Sequence, residues 1–598
     1  MTRINDFAFK IATPNGTGSS SANGLLMQAI FRMGVPVTGK NVFPSNIQGL
    51  PTWYEIRVSK DGYTARTQQF DLMLALNAQT YQKDVAEVRT NGWLLYDSTW
   101  PLEGSVARAD VTYLGVPLSE MVNGAFKGVR ERILMKNIAY VGALAALLEI
   151  DTDVIRTLLK EKFGRKPALM DSNQKAVDLG YEYAKTHLGA PLPIHLAPLD
   201  LTKDAILIDG NTSSGLGCVY AGATVGAWYP ITPSTSLMEG FKGFCDKFRK
   251  TEDGKKKFAI LQAEDELAAI GMVIGASWAG ARAFTPTSGP GISLMGEFVG
   301  LAYYAEIPAV IFDVQRTGPS TGMPTRTQQG DLMLCAYASH GDTRHICLYP
   351  SDPREAFEFA VTAFDLAERF QTPVFVLSDL DIGMNDWMVP KLEWDDSYRP
   401  DRGKVLSAAE LEQAKQFYRY LDVDGDGIPY RTLPGVHPKG AFFTRGSGHN
   451  KLGGYTEDDV EYADVMERIS RKTQNAAQAV PAPFVRKGSK ATTLGLLTVG
   501  GCHGACMEAL DLLAKDGIAL DYMRVRGFPF GDEVKKFLDA HETVFVVEQN
   551  RDGQLRSLLT LETGVPPAKL SSVRYWGGFP MSAQHVIAGV KAKIEVAA

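Results

Sequence analysis

Short apolar runs alternate with amphipathic stretches along most of the 598-residue chain. The first run, Phe7 to Ala12, is followed by the glycine-rich stretch TPNGTGSSSANG and then by the helical pattern LLMQAIFRMG. This order predicts a strand, a turn and a helix, and such a turn can place backbone N–H groups against an anion. Because Ser21 follows Gly16 and Gly18, the turn does not match G-x-G-x-x-G, and a plain tight turn explains it equally well.

The alternation is densest between Ile206 and about Pro390. It predicts strands at AWYPI, KKFAILQ, PAVIFDV and TPVFVLSD, and helices at GLGCVYAGATVGA, PSTSLMEGFKGFCDKF and EDELAAIGMVIGASWAGARAF. Strands that alternate with helices of this length form parallel sheets with crossover helices. We expect Ser234 and Thr235 to cap the second helix.

Changes in the pattern divide the chain into five segments. LGAPLPIHLAPLDL is rich in proline and has no helical period, which is typical of an extended linker. A charged stretch with few periodic segments follows the dense region, and the alternation returns near Thr492. We therefore predict an α/β fold with domains at 1–187, 206–390 and 489–598, a linker at 188–205 and an irregular connecting segment at 391–488.

Composition excludes several classes of function. A chain with 45% hydrophobic and 22% charged residues is ordinary for a globular protein, and its length requires more than one core. A net charge of −6 argues against a nucleic-acid partner. No apolar run approaches the roughly 20 residues that span a bilayer, and the start of the chain lacks the regions of a signal peptide. We expect a cytoplasmic protein without a membrane partner.

The six cysteines are sparse, and none lies in a C-x2-C pair. Neither a zinc site nor an iron–sulfur cluster can therefore be built from local spacing. The closest pair is Cys502 and Cys506 in CHGAC, whose spacer is longer than that of the usual redox motif. A tight loop that opens a helix is the favoured interpretation.

Three adjacent acids, Glu264 to Glu266, follow the predicted strand KFAILQ and open the next helix. Ligands of open α/β sheets bind at this edge, although acids also suit a helix N-terminus for electrostatic reasons alone. Glu266 shares a helical face with Ala269, Ile270 and Val273, so it points toward packed residues. A carboxyl in that place suits the sharing of a proton with a heterocycle nitrogen, and a capping role is the equal alternative.

Arg316 follows the strand PAVIFDV at the same expected edge, inside VQRTGPSTGMPTRTQQGD. An arginine there can hold a carboxylate through two hydrogen bonds, whereas a surface loop arginine is the alternative. Arg326, Arg344 and His340 are weaker candidates in the same region.

Two further motifs point to a metal less convincingly. DVDGDGIPY begins like a calcium-binding loop, but Leu433 stands where the bidentate glutamate is needed. Calcium binding at 422–433 is the less favoured of two open interpretations. The GDG within this stretch, followed by Asn450, is similar to the metal–diphosphate motif of thiamine enzymes, but no apolar strand precedes it. We interpret it as a chance match and expect no metal site in this chain.

In AWYPITPSTS, two prolines flank Thr232. Pro230 and Pro233 lack backbone donors and have a fixed φ, so they hold Thr232 at the carboxyl edge of a strand. A proline turn before a helix explains the prolines, Ser234 and Thr235, but leaves the hydroxyl of Thr232 without a role.

Four stretches together carry a resemblance to a known family: YPITPST, AEDELAAIGMVIGASWAGARAFTPTSGPGISLM, GPSTGMPTRTQQGDL and VVEQNRDGQL. They closely resemble the alpha subunit of 2-oxoacid:ferredoxin oxidoreductases. The N-terminal third resembles the gamma domain of that family, fused in front as in the 2-oxoglutarate-type enzymes. The resemblance covers nearly the whole chain.

The resemblance implies three α/β domains: an N-terminal gamma domain, a doubly wound domain that binds the pyrimidine of thiamine diphosphate, and a C-terminal domain like that of transketolase. It implies oxidation of a 2-oxoacid with coenzyme A as acyl acceptor and ferredoxin as electron acceptor, or the reverse carboxylation. Mg²⁺ and the [4Fe–4S] clusters are then expected on a beta subunit, in a dimer of heterodimers. The gamma domain is expected to help cover coenzyme A.

The resemblance also implies roles for individual residues. Glu266 matches the glutamate that hydrogen-bonds the aminopyrimidine and so promotes loss of the thiazolium proton. Thr232 matches the threonine beside the substrate carbonyl and carboxylate, and Arg316 matches the arginine that anchors the carboxylate. The remaining matched residues line the cofactor: Pro230, and Ser288 and Gly289 of the TSGPG loop at 287–291.

Two alternatives stay open. The same chemistry acts on pyruvate or on branched-chain or aryl 2-oxoacids in other members of the family, and the fused gamma domain and the TGMPTRTQQGD loop favour 2-oxoglutarate. A non-catalytic assembly subunit is the alternative of another class. The sequence does not reveal the physiological direction, the number of clusters, the electron partner or the residues that contact coenzyme A.

Overall fold

The computed structural model describes residues 2–45, 50–101 and 107–597. The chain forms two compact units, and each contains residues that are distant in sequence. The first unit comprises Met1–Ile208 and Asn385–Lys391, and the second comprises Asp209–Met384 and Leu392–Ala598.

The first unit contains ten described strands and six described helices, numbered along the whole chain. The strands are β1 Arg3–Ile4, β2 Asp6–Pro14, β3 Val37–Val42, β4 Pro51–Ser59, β5 Phe70–Ala75, β6 Val88–Asp97, β7 Thr112–Val116, β8 Ile194–His195, β9 Ala205–Ile208 and β16 Trp387–Pro390. The helices are α1 Ser19–Arg32, α2 Tyr81–Glu87, α3 Leu118–Ala125, α4 Val129–Leu148, α5 Thr152–Phe163 and α6 Pro167–His187.

A mixed six-stranded sheet of order β3-β4-β2-β5-β6-β7 forms the body of this unit. The glycine-rich turn joins β2 to α1 as predicted, with Gly16 and Gly18 both at a φ of 83°. Helices α4 and α6 cross closely, because a Cβ at Gly142 or Gly180 would lie 1.9 Å from a carbonyl oxygen of the other helix. Glycine is therefore required at this crossing.

The second unit contains the other twelve described strands and thirteen described helices. The strands are β10 Val225–Trp228, β11 Ala259–Gln262, β12 Ala283–Thr287, β13 Ala309–Gln315, β14 Ile346–Leu348, β15 Pro373–Asp379, β17 Phe484–Arg486, β18 Leu494–Val499, β19 Asp521–Val525, β20 Gly527–Phe528, β21 Thr543–Glu548 and β22 Leu570–Arg574. The helices are α7 Gly210–Tyr220, α8 Thr235–Phe248, α9 Glu266–Trp278, α10 Gly289–Tyr304, α11 Leu332–Ala336, α12 Pro353–Phe370, α13 Leu380–Met384, α14 Ala408–Gln413, α15 Asp459–Ala476, α16 His503–Lys515, α17 Asp532–Ala540, α18 Gln554–Thr563 and α19 Ala583–Ala597.

Two sheets organise the second unit. One has the order β11-β10-β12-β13-β15-β14-β20, and the other has the order β17-β19-β18-β21-β22. In the first sheet every pair is parallel except β14 with β20, so the carboxyl ends of β10, β11, β12, β13 and β15 lie at one edge. This edge is where open parallel sheets bind ligands.

The predicted α/β class is confirmed, but two predicted helices are too long. Both continue into residues that form the strands β10 and β12. The helices α7 and α9 end before Gly222 and Gly280, whose φ angles are 87° and 102°. Since the apolar pattern continues through both glycines, it hides the change from helix to strand. The five-segment division of the chain stays a prediction.

No described helix combines the length and the uninterrupted apolar character that crossing a membrane requires.

Candidate active site

Four predicted residues lie at the carboxyl edge of the seven-stranded sheet. Arg316 directly follows β13, Ser288 directly follows β12, and Thr232 lies shortly after β10. Glu266 begins α9, shortly after β11. Since β11, β10, β12 and β13 are neighbours in this order, the fold brings these positions to one edge.

Arg316 and Thr232 are in direct contact. The Arg316 guanidinium donates from Nη1 to the backbone carbonyl oxygen of Thr232 at 2.8 Å. Arg316 is only 9% exposed, and its Nε has no hydrogen-bond partner among the described residues. Burial lowers the pKa of Arg316, while the carboxylates of Asp331 and Glu266 favour its charged form. The side chain therefore keeps a buried donor available for an acceptor that the described residues do not supply.

The hydroxyls after Thr232 do not cap α8 as predicted. Ser234 occupies the N-cap position, but its hydroxyl donates back to the carbonyl of Ile231 at 3.1 Å. Thr235 makes the same type of bond at 3.3 Å. The two hydroxyls therefore close the proline turn itself.

Glu266 faces the protein interior, as its helical position predicts. It is 5% exposed, on the face of α9 that carries Ala269, Ile270 and Val273, all fully buried. The capping role belongs to its neighbour Asp265, whose carboxylate accepts from the N–H of Ala268 at 2.7 Å. Hence the two acids have separate roles, and helix capping does not explain Glu266.

Ser288 and Gly289 form a tight bend between β12 and α10. Ser288 is fully buried, and its hydroxyl has no partner among the described residues. A Cβ at Gly289 would lie 2.7 Å from Oδ2 of Asp331, and one at Gly291 would lie 1.9 Å from Oγ1 of Thr287. A larger residue at either position would therefore force these polar side chains to move.

A pair of carboxyl groups borders this site and was not predicted: Asp313, which is fully buried, and Asp331, which is partly buried. Asp313 lies inside β13, and Asp331 ends the loop that begins at Arg316. Burial and the neighbouring Asp331 raise the pKa of Asp313, and burial raises the pKa of Asp331 to about 6. Neighbouring carboxyls removed from water in this way favour the protonated form of the pair. The sequence signal that could have identified this pair is Asp313, an aspartate in the predicted apolar strand PAVIFDV.

These residues fit the pyrimidine end of thiamine diphosphate. Glu266 places a buried carboxylate at this sheet edge, and the buried Ser288 hydroxyl and Arg316 Nε–H there have no partner among the residues that the structure describes. A heterocycle with both donors and acceptors and an anionic substrate would satisfy such groups. Among the described residues no group of three or more His, Cys, Asp or Glu side chains could hold a metal ion.

The weaker candidates have other contacts. His340 is exposed and lies 3.6 Å from the exposed carboxylate of Glu297. Arg344 forms an ion pair with Glu562, and Arg326 lies over the ring of Phe579 at 5.4 Å.

A lysine stands where a cation would lie in the calcium-like loop. Nζ of Lys404 is 2.6 Å from Asp424 and 2.8 Å from Asp426. The remaining acid, Asp422, accepts from the N–H groups of Gly425 and Gly427 at 2.8 and 2.9 Å. The loop therefore neutralises its charge from within the chain.

CHGAC opens a helix, as predicted, since α16 begins at His503. Cys502 and Cys506 are buried free thiols, and burial raises the pKa of both. Neither has the exposed, thiolate-favouring surroundings of a redox pair.

Comparisons with known proteins point to one family. A family model described as pyruvate flavodoxin/ferredoxin oxidoreductase, thiamine diphosphate-binding, matches residues 216–414. A second, described as pyruvate ferredoxin/flavodoxin oxidoreductase, matches residues 8–183. The alpha subunit of 2-oxoacid:ferredoxin oxidoreductase 2 from Aeropyrum pernix is 31% identical, and the alignment covers 99% of this chain and 98% of that relative.

Two other proteins are similar to this chain and carry a more specific name. The 2-oxoglutarate synthase subunit KorA from Methanocaldococcus jannaschii is 34% identical over 57% of this chain and 88% of its own length. A solved structure of 2-oxoglutarate:ferredoxin oxidoreductase from Magnetococcus marinus, with 2-oxoglutarate, coenzyme A and succinyl-CoA bound, has a TM-score of 0.89. It is 28% identical and is matched over 99% of this chain and 100% of its own.

Proposed function

Because this chain belongs to the 2-oxoacid:ferredoxin oxidoreductases as an alpha subunit, we propose that its substrate is 2-oxoglutarate. The reaction converts 2-oxoglutarate, coenzyme A and oxidised ferredoxin to succinyl-CoA, CO₂ and reduced ferredoxin, or runs in reverse. Support for this substrate comes from the names of the KorA relative and of the Magnetococcus marinus enzyme.

The contact between Arg316 and Thr232 carries the proposal. The carbonyl of Thr232 holds one end of the guanidinium, so the unpaired Nε is left to bind the carboxylate next to the keto group. The Thr232 hydroxyl, on a turn fixed by Pro230 and Pro233, donates to the same substrate group. These two residues bind and orient the 2-oxoacid.

Glu266 is assigned to the cofactor. Its buried carboxylate would hold the aminopyrimidine ring of thiamine diphosphate, and Pro230, Ser288 and Gly289 would line the same site. When bound, thiamine diphosphate supplies the nucleophilic carbon and the electron sink for decarboxylation. Glu266 holds or moves a proton at the ring nitrogen.

A beta subunit completes the site in this proposal. The helix α9 presents an apolar face to solvent, with Leu267, Met272 and Trp278 all more than one-third exposed, and Leu294 of α10 is 55% exposed. Such a face next to a cofactor-binding glutamate fits a permanent protein partner. We assign the diphosphate, Mg²⁺ and the [4Fe–4S] cluster to that partner, in a cytoplasmic dimer of heterodimers.

Co-expression with the candidate beta subunit tests the proposal. The purified complex is expected to reduce a ferredoxin-type dye with 2-oxoglutarate only when coenzyme A is present. The same assay is run in parallel with pyruvate, a branched-chain 2-oxoacid and an aryl pyruvate. If the complex prefers one of these, that compound and not 2-oxoglutarate is the substrate. Activity of this chain alone would contradict the shared site, and a complex inactive on all four classes would favour an assembly subunit.

A further inference from the structure

The stretch VVEQNRDGQL at the end of β21 has no role in the chemistry described above. We propose that its amide side chains position the loop of residues 316–331, here called the Arg316 loop. In this proposal Gln549, Asn550 and Gln554 are positioning residues that act through the far end of that loop. The consequence for substrate binding depends on the function proposed for Arg316.

Four hydrogen bonds join the stretch to the Arg316 loop. Nδ2 of Asn550 donates to the carbonyl of Gln329 at 3.0 Å, and Nε2 of Gln554 donates to the carbonyl of Gly330 at 2.6 Å. The N–H of Gln329 donates to the carbonyl of Gln549 at 2.8 Å, and Oε1 of Gln329 accepts from the N–H of Gln549 at 3.0 Å. Gln329, Gln549 and Asn550 are each at most 3% exposed, so water does not compete for the three bonds among them, while the Gln554–Gly330 bond is part-buried.

The same end of the loop is tied to its beginning. The N–H of Asp331 donates to Oε1 of Gln315 at 3.1 Å, and Gln315 directly precedes Arg316. The carboxylate of Asp331 also favours the charged form of Arg316. Hence the anchoring of Gln329 and Gly330 also constrains the neighbouring Asp331, which bonds Gln315 directly before Arg316.

Capping of α18 accounts for only part of these amide groups. Oδ1 of Asn550 accepts from the N–H groups of Gly553 and Gln554 at 2.8 and 3.2 Å, and Glu548 accepts from Leu555 at 2.7 Å. Those bonds stabilise the start of the helix. The amide N–H groups of Asn550 and Gln554 instead reach the Arg316 loop, which is more than two hundred residues earlier in the chain.

Gln554→Glu separates the stabilisation of α18 from the bond to the Arg316 loop. The substitution keeps an acceptor for the N–H of Met333, which now bonds Oε1 of Gln554 at 3.2 Å. It replaces the donor to Gly330 by a carboxylate oxygen, which the Gly330 carbonyl repels. Gln474→Glu, at an exposed position of α15 in the same unit, adds the same charge away from the loop.

Hydrogen exchange of the full chain with its beta subunit tests the positioning directly. Amides of residues 316–331 are expected to exchange faster in Gln554→Glu than in wild type, while Gln474→Glu matches wild type. Unchanged exchange in this loop would overturn the proposal. Because this readout needs no turnover, it holds even if the complex fails to oxidise any 2-oxoacid, an outcome that would contradict the proposed function alone.

Steady-state kinetics then test the consequence for binding. In Gln554→Glu the KM for the 2-oxoacid is expected to rise about tenfold, while the KM for coenzyme A stays within about twofold of wild type. A general loss of structure would raise both constants or lower the thermal midpoint. An unchanged KM for the 2-oxoacid, or an equal rise in both, would overturn the link from the stretch to Arg316.

Discussion

Arg316 donates to the backbone carbonyl of Thr232, and the Thr232 hydroxyl takes no part in this contact. Thr232→Val should therefore keep Arg316 in place while it removes the hydroxyl. We expect kcat/KM for the 2-oxoacid to fall about 10- to 100-fold, the effect of one lost hydrogen bond to a charged group. Thr232→Ser should retain most of the activity in the same steady-state assay. Equal losses in both variants would mean that the threonine methyl group matters instead.

Arg316→Lys tests whether the guanidinium binds the Thr232 carbonyl and the substrate carboxylate at the same time. A lysine ammonium lacks the planar fork and cannot both bond the Thr232 carbonyl and hold a carboxylate in two-point fashion. We expect the KM for the 2-oxoacid to rise about 100-fold, measured against Arg399→Lys at an exposed position as the control. A KM within twofold of wild type would remove Arg316 from substrate binding.

The Asp313–Asp331 pair makes stability depend on pH. Burial raises the pKa of Asp331 from 3.8 to about 6, so between these values the folded chain holds a proton that the unfolded chain has lost. The stabilisation is complete below the lower value and is lost as pH rises through the upper one. Asp331→Asn should therefore raise the thermal midpoint more at pH 7.5 than at pH 4.5.

Thermal unfolding at both pH values, with the exposed Asp342→Asn as control, measures this difference. We expect a change of roughly 2 °C between the two conditions for Asp331→Asn and none for the control. A shift of equal size at both pH values would mean that Asp331 does not titrate in this window.

Lys404 replaces a bound cation in the loop at 422–430, so calcium should not affect the wild-type chain. Lys404→Met leaves Asp424 and Asp426 without their cation, and we expect a lower thermal midpoint than that of the wild type. Millimolar calcium should raise the thermal midpoint of this variant only. Stabilisation of the wild type by calcium would show that the lysine does not fill the site.

The sequence predicted most of this site because its signals are local. Apolar strands followed by Thr232, Glu266 and Arg316 place these residues at strand ends, and helical period alone predicts that Glu266 faces inward. The sequence does not predict contacts between residues that are far apart along the chain. No pattern near Asp331 indicates that Asp313 lies beside it, and nothing near Gln554 indicates a bond to Gly330.

The sequence also predicts the ends of some helices incorrectly. The apolar pattern predicts that α7 and α9 continue into the following strands, because apolar residues run through Gly222 and Gly280. In the fold both glycines have a positive φ, and the helices end before them. The sequence predicts that the hydroxyl of Ser234 caps a helix, yet it closes the proline turn instead. Side-chain hydrogen bonds of this kind compete at short range, and residue type does not decide between them.

In the proposed function the buried carboxylate of Glu266 moves a proton at the cofactor, and Glu266→Gln in the complex with the beta subunit tests this role most directly. The amide keeps the shape of the side chain but cannot take or release the proton. We expect 2-oxoacid-dependent dye reduction to fall by about 1,000-fold or more while the complex still assembles, with the exposed Glu264→Gln matching wild type. Near-normal turnover in Glu266→Gln would contradict the account.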